Sequence, residues 1–464
     1  MQQRFAHIPV RTVVLLLFLA VLVLPSVAKA QNACRDGQIM LDHNTGSIPD
    51  LGECLWYLED PEQSLTIDEV RAAGEDRLTR HQGGVLNFGY TGSAYWTRFD
   101  LSTRRLTSRS DWILELALPL VDDVRLYLVR DGQLVEQRQT GYLDSWDERD
   151  LAVPNPTFRL RLSPDTVTTV FLRITNTNTF RLPITLWHPD NYIEKVSIDE
   201  AVRGLLLGAI LAILAYNLFV AVSVRERSNI YYVLYLVCAA VFIGTEQVHG
   251  VQLLDSRPAL LNKEYLPFQI ILTWFFGLLM ARSLLETRQR SPDLDHVLRL
   301  CLTSVVTTFG LSFFMPYSVA MEWIVVGSIL LSIILIVVSY LSWRYYNPAA
   351  RSYFFAWTLA LIGFGIYALT VMGYLPLNTF TSYSPQFGLT AQIILFSFAL
   401  ADRIKQVQGE ALAWNQRALA NLRRYQSLFD NAIEGVFQMS PERRFVTANP
   451  AMAELLGYSS SREL

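Results

Sequence analysis

The chain of 464 residues is 51% hydrophobic and 17% charged, a balance that excludes an ordinary single soluble domain and suits several domains, part soluble and part membrane. A formal net charge of −3 gives no basis for a nucleic-acid partner.

Residues 1–30 combine a basic start (Arg4, Arg11), the apolar run VVLLLFLAVLVLP and the small-residue tripeptide Ala28-Lys29-Ala30. That is the pattern of a secretory signal cleaved before Gln31, with an uncleaved anchor as the alternative. Behind it, Cys34 and Cys54 form an even pair in a chain sent to an oxidising compartment, which predicts a disulfide worth about 3 kcal/mol. A lipidated Cys34 is the competing idea, although Gln31 and Asn32 stand where an apolar and a small residue are expected.

From 31 to about 195 the pattern is one of strands. YWTRFDL (95–101), WILELAL (112–118), DVRLYLV (123–129), QLVEQRQ (133–139), TFRLRLS (157–163), TVFLRIT (169–175) and PITLWH (183–188) are short, largely alternating and separated by Gly, Asp, Asn and Pro. They predict an all-β sandwich outside the membrane, with no helical crossover between its strands. No catalytic set stands out, since His81 and His188 lack partners at a useful spacing. Aromatic rings can stack on sugar rings or apolar ligands, and Tyr95, Trp96, Trp146 and Trp187 are the candidates for such a platform. Packing within the sandwich is the alternative for each, and Trp146, in the polar stretch 143–150, is the candidate least suited to a core.

Seven apolar blocks follow within 203–402: Gly204 to Val224, Ile230 to Thr245, Tyr265 to Ala281, Leu300 to Ala320, Trp323 to Trp343, Ser352 to Tyr374 and Pro385 to Ala401. Each is close to the roughly 20 residues that cross hydrocarbon as a helix, so the lipid bilayer is a partner of the chain. The second meets Glu246 and the fourth is broken by Pro316, so both are expected to borrow a turn from their polar flanks. Arg225, Arg227, Arg282, Arg288, Arg290, Arg299, Arg344 and Arg351 occupy alternate connections, and only Arg257 and Lys263 occupy the others. Eight basic residues against two put the sandwich outside and the C-terminus inside. Reporter fusions after Arg227, Arg290 and Arg351 are therefore expected to report cytoplasm, and fusions near Ser256 and Asn378 the outside; one reversed pair would break the seven-helix arrangement.

Ionisable residues within the blocks are sparse. Glu246, His249 and Glu322 sit near the outer ends, where interfacial capping explains them better than a transport path. No metal-ligand spacing and no cofactor signature is evident, and the lysines (Lys29, Lys195, Lys263, Lys405) lie outside the helix centres, which sets a retinal Schiff base aside. Cys238 and Cys301 read as small apolar fillers.

Beyond the seventh block, Ile404, Val407, Ala411, Trp414, Ala418, Asn421 and Tyr425 follow alternating steps of three and four, the seam of a coiled-coil helix over 403–427. Such a seam predicts a homodimer, in which Asn421 either fixes register or marks a weak point. The segment 428–464 then reads as a helix end, the strand VFQMS, a turn at Pro441-Glu442, the strand RFVTA, and a helix with Asn449 as cap and Pro450 at its first position.

The pieces EGVF, strand-turn-strand, ANPAMAELLGY and REL resemble the N-terminal half of a PAS sensory domain, an α/β fold. YWTRFDL and LELALPLVDDVRLYLV, joined directly to seven helices, resemble the bacterial seven-transmembrane receptors with diverse intracellular signalling modules. The resemblance implies a jelly-roll outer domain akin to carbohydrate-binding modules, placed in the periplasm by a multi-pass inner-membrane protein. It also implies a cytoplasmic histidine kinase, diguanylate cyclase or phosphodiesterase. No GGDEF stretch or kinase motif is present in these residues, and the last histidine, His296, lies at the fourth block. The pattern stopping inside PAS predicts that an output module follows or is supplied by another protein. The expected function is a transmembrane sensor of an external ligand, a small molecule or saccharide. A transporter or channel with an outer substrate-binding domain is the alternative, and an outward-facing enzyme lacks a catalytic set.

Overall fold

Alternation of apolar and polar residues is satisfied where one face of each strand meets a second sheet, and the computed structural model of the chain is built on that arrangement. It describes residues 34–463 apart from 36, 43–44, 49–50, 52–53, 75–76, 82–84, 107, 143, 145–148, 178, 247–261, 348–349, 372–373, 376–377 and 442–443. The signal-like segment 1–30, Trp146 and His249 lie outside the described residues. The chain divides into two compact units, residues 1–397 and 398–464.

In the first unit, the larger sheet runs β1 (Cys34–Arg35), β2 (Gln38–Met40), β7 (Ala94–Ser102), β12 (Val167–Thr175), β9 (Asp123–Arg130), β10 (Gln133–Thr140). β4 (Trp56–Asp60) pairs with the first half of β7 and carries β5 (Thr79–Arg80) on its other edge. The smaller sheet runs β11 (Thr157–Leu162), β8 (Ser110–Leu116), β14 (Ile184–Trp187), β3 (Ser47–Ile48), and β6 (Leu86–Tyr90) pairs with β13 (Thr179–Leu182) as a ribbon. Every described pairing is antiparallel except β2 with β7.

Register places Val170 between Phe99 and Leu128, so one row of the larger sheet turns inward. Phe99, Leu101, Leu126, Leu128, Val170 and Leu172 meet Trp112, Leu114, Phe158, Leu160 and Leu186 of the smaller sheet in one buried core. Each such side chain contributes about 1.5–3 kcal/mol on leaving water. The outer face of the larger sheet is also apolar at Trp96, Tyr127 and Phe171, and a short helix covers it. This helix, α1 (Ile67–Ala72), precedes the strands expected from the sequence and is an addition to the sandwich. Thr66 caps it in a capping box with Glu69, whose carboxyl is held below its usual range by the hydrogen bonds from Thr66. Cys34 and Cys54 are joined in a disulfide with Cα atoms 5.6 Å apart. Neither cysteine is expected to take up an alkylating label without reductant, and free labelling of both in native protein would show that the bond is absent.

Among the described residues, seven helices are long and apolar enough to cross a membrane. They are α2 (Pro189–Val224), α3 (Arg227–Glu246), α4 (Leu266–Leu284), α5 (Pro292–Ser312), α6 (Tyr317–Tyr345), α7 (Ala350–Val371) and α8 (Ser384–Asp430). The fourth does not span 300–320 as its apolar block suggests. Pro316 caps the start of α6 instead, and α5 takes its length from the polar side. Asp295 can enter that helix because Arg282 (2.9 Å), Arg299 (2.5 Å) and Thr287 (3.0 Å) surround its buried carboxylate.

α7 and α8 approach closely. A Cβ on Gly363 would meet the carbonyl oxygen of Ser384, and one on Gly388 would lie 3.1 Å from that of Leu359, so these two positions require glycine for space. Farther along α8, Phe396 stacks on Tyr353 at 4.9 Å and meets Tyr235 edge-on at 5.8 Å.

In the second unit, the remainder of α8 is followed by a hairpin of β15 (Phe437–Met439) and β16 (Phe445–Ala448) and by α9 (Pro450–Leu455). Asn449, fully buried, accepts from the Met452 amide (3.0 Å) and the Val436 amide (2.9 Å) and donates to the Glu434 carbonyl (2.8 Å). One side chain thus caps the helix and ties it to the first strand.

Candidate functional site

Of the aromatic residues proposed as a platform, the described three, Tyr95, Trp96 and Trp187, do not share a surface. Tyr95 points into the sandwich core, stacked on Phe88 with centroids 4.0 Å apart, and burial pushes its phenol pKa up. Trp96, its neighbour in β7, faces the other way and packs on Tyr127 beneath α1. Trp187 lies on the smaller sheet, at the end of β14.

Trp187 belongs instead to a junction between sandwich and helices. Glu115, on the outer face of β8, is 1% exposed. Its carboxylate accepts from the Asn155 amide (2.7 Å), the Trp187 indole (2.8 Å) and the Lys195 ammonium (2.5 Å). A carboxylate this deep needs such a set, since desolvating an unpaired charge costs several kcal/mol. Lys195 stands in the first turns of α2 and also pairs with Asp199 one turn on, at 3.0 Å. Asp199 in turn accepts from the hydroxyl of Tyr383, and the buried Arg203 donates to that hydroxyl at 2.9 Å. Tyr383 immediately precedes α8. A chain of charge-assisted hydrogen bonds therefore runs from the smaller sheet through the head of the first membrane helix to the head of the seventh.

Three further contacts fix the sandwich on the outer helix ends. Asp122, in the loop before β9, accepts from the Thr177 amide (2.7 Å) and hydroxyl (2.9 Å) and from the ammonium of Lys263, which is buried just ahead of α4. Tyr142 accepts from the Lys263 amide at 3.0 Å and joins Leu120 and Leu266 in a small apolar cluster flanked by Phe242 and Met321. Arg181 of β13 donates to the Tyr367 hydroxyl of α7 at 3.3 Å, its guanidinium 5.7 Å from the ring centre. The sandwich thus touches α2, α4 and α7, and reaches the head of α8 through α2. A displacement between its sheets has polar and apolar paths into the bundle, and none of these groups is arranged as a nucleophile with a base. Among the described residues no group of three or more His, Cys, Asp or Glu could hold a metal ion.

Sequence reasoning missed this junction because its members are far apart along the chain. In the second unit, Val407, Trp414 and Tyr425 of the expected seam are 39%, 69% and 65% exposed, so no other part of that unit covers them.

Comparison with known proteins agrees with this architecture. Residues 52–188 match the family model described as 7TMR-DISM extracellular 2, residues 199–403 match 7TM diverse intracellular signalling, and residues 423–464 match a PAS domain. No curated protein matches the sequence. Among solved structures, the GH31 alpha-xylosidase (Xac1773) from Xanthomonas citri is 16% identical over 29% of this chain and 15% of that one, with a TM-score of 0.16. So slight a likeness carries no argument about fold or activity. The chain is a multi-pass membrane receptor with an extracellular N-terminal sensor domain and an intracellular signalling region, and it belongs to the 7TMR-DISM family of seven-transmembrane receptors.

Proposed function

We propose that the sandwich senses an extracellular saccharide and that two copies of the chain, paired along the cytoplasmic part of α8, carry the response to PAS. The output in this reading is enzymatic, a diguanylate cyclase or a histidine kinase, as the resemblance to the family implies. The observation that carries the proposal is the hydrogen-bonded chain from Glu115 through Lys195 and Asp199 to Tyr383. It links the sensor domain to the head of the helix whose far end enters the signalling region. A ligand can bias such a device only by binding two arrangements of it unequally, and a difference of a few kcal/mol is enough. Ligands that load and leave a preformed outer domain need no charged path through the bilayer, in keeping with the few ionisable groups in the helix centres.

The test uses the full chain in nanodiscs with Trp414→Cys as an inter-chain reporter. A panel of neutral and acidic sugars is added, and the rate of disulfide crosslinking is followed. At least one sugar is expected to change that rate several-fold, and the change should vanish in Lys195→Met. A rate indifferent to every sugar on the panel would overturn the saccharide reading.

A further inference from the structure

A cavity of about 560 Å³ lies between α1 and the outer face of the larger sheet. That volume falls within the roughly 300–1,000 Å³ of small-molecule sites. We propose that this cavity is the ligand site of the sensor domain and that it takes a neutral saccharide; the proposal rests on the saccharide reading above.

Three observations carry it. The first is the division of the lining into an apolar floor and a polar rim. Phe171 and Val129 of the sheet and Leu78 form the floor, and the C–H face of a sugar ring rests on such a surface. Arg71 and Asp68 of α1, Arg98 of β7 and Thr169 of β12 supply the rim.

The second is charge balance. Arg71 lies 3.3 Å from Asp68, and Arg98 lies 3.6 Å from Asp100. Each guanidinium already has its carboxylate, and Asp131 adds a further acidic group to the lining, so an anionic ligand would have to displace a carboxylate. A hydroxyl displaces nothing. It accepts from one of a guanidinium's five N–H groups and donates to the carboxylate beside it. The arrangement therefore disfavours an anion and suits a neutral group that both donates and accepts.

The third is a pair of unsatisfied polar atoms. Trp96 and Asp100 stand two residues to either side of Arg98 on the same face of β7. The Trp96 indole N–H and the Asp100 Oδ1 are buried, and neither has a hydrogen-bond partner. This donor and acceptor flank a residue that lines the cavity. Arg71 also donates to the carbonyl of Gly132 in the turn between β9 and β10, so α1 is tied to the sheet on that side of the cavity. None of the described aromatic residues singled out in the sequence lines this cavity.

The experiment is isothermal titration of the full chain in nanodiscs with maltose, cellobiose and lactose as neutral probes and glucuronate and glutamate as charged ones. Three variants are compared: Thr169→Trp, which fills the cavity, and Arg98→Gln and Arg71→Gln, which remove donors from its rim. Arg71 has a side chain 27% exposed on a short helix, and glutamine keeps a hydrogen-bonding side chain there, so Arg71→Gln disturbs folding less than Thr169→Trp. At least one neutral probe is expected to bind more than tenfold tighter than either charged probe, and each variant is expected to weaken that binding tenfold or more. A neutral sugar that binds equally well to Arg71→Gln and Arg98→Gln, or that is lost only in Trp146→Ala, would reject this cavity and leave the saccharide reading standing. Preference for glucuronate or glutamate would reject the neutral class. Failure of every sugar would overturn both proposals together.

Discussion

Lys195→Met is expected to destabilise the sensor domain by about 3–5 kcal/mol, because it strands the buried Glu115 carboxylate with only two neutral donors, Asn155 and Trp187. Glu115→Gln is expected to cost less, about 1–3 kcal/mol, although it alters the deeper of the two residues. Its amide oxygen still accepts from Asn155 or Trp187, and Lys195, whose side chain is 23% exposed, keeps Asp199 at 3.0 Å. The order of the two effects is the diagnostic. Denaturant unfolding of the full chain, followed by near-ultraviolet circular dichroism, measures both. Should Glu115→Gln prove the more damaging, the two acceptor oxygens of the carboxylate would matter more than its pairing with Lys195, and the polar chain to Tyr383 would lose its first link. Both variants should also dissociate the response of α8 from events in the sandwich, since each interrupts the path between them.

How much of this could be seen in the sequence depended on how local the determining interactions are. Alternation at Val124, Leu126 and Leu128 marks β9 because the inward row repeats within one strand. The strands that went unread, such as β3 and β5 at two residues each, are too short to show any period. α1 has a local signal, Thr66 followed three residues later by Glu69, but six residues of helix give no apolar stripe, and only its packing on Trp96 and Phe171 makes it stable. The fourth membrane helix was expected to borrow a turn from its polar flank, and it extends further than that, through Asp293 and Asp295, because Arg282 and Arg299 are brought alongside.

The junction could not be read at all. The partners of Glu115 lie 40, 72 and 80 residues away, and no periodicity relates them. The aromatic platform had the opposite fault. Tyr95 and Trp96 are adjacent in a strand, and adjacent strand residues face opposite sides, so the two could not have lined one surface.

Cysteines placed at 404, 407, 411 or 414 are expected to crosslink strongly between two chains, and cysteines at 405, 409 or 413 weakly. The expectation rests on the continuity of α8, which runs unbroken to Asp430, past the last apolar membrane block. Within the second unit Trp414 and Tyr425 stand 69% and 65% exposed along the row that begins at Ile404 and Val407, and a second chain offering the same row would bury them. A competing row exists. Leu412, Leu419 and Leu422 are 60%, 55% and 54% exposed, and they occupy the flank of the first seam. The seam through Ala411, Trp414, Ala418 and Asn421 contains small and polar residues, which makes a weak pairing, and weak pairings have alternative registers of similar energy. That property suits a relay, because a small rotation imposed at the membrane can exchange one row for the other. Inserting two residues near Asn415 turns everything beyond by about 200°, at 3.6 residues per turn. Crosslinking at Ala418→Cys and Tyr425→Cys should then fall to background, while a seven-residue insertion restores it. Stronger crosslinking at 412, 419 and 422 than at 411, 414 and 418 would assign the interface to the leucine row. Equal crosslinking at every position, unaffected by either insertion, would reduce this helix to a tether.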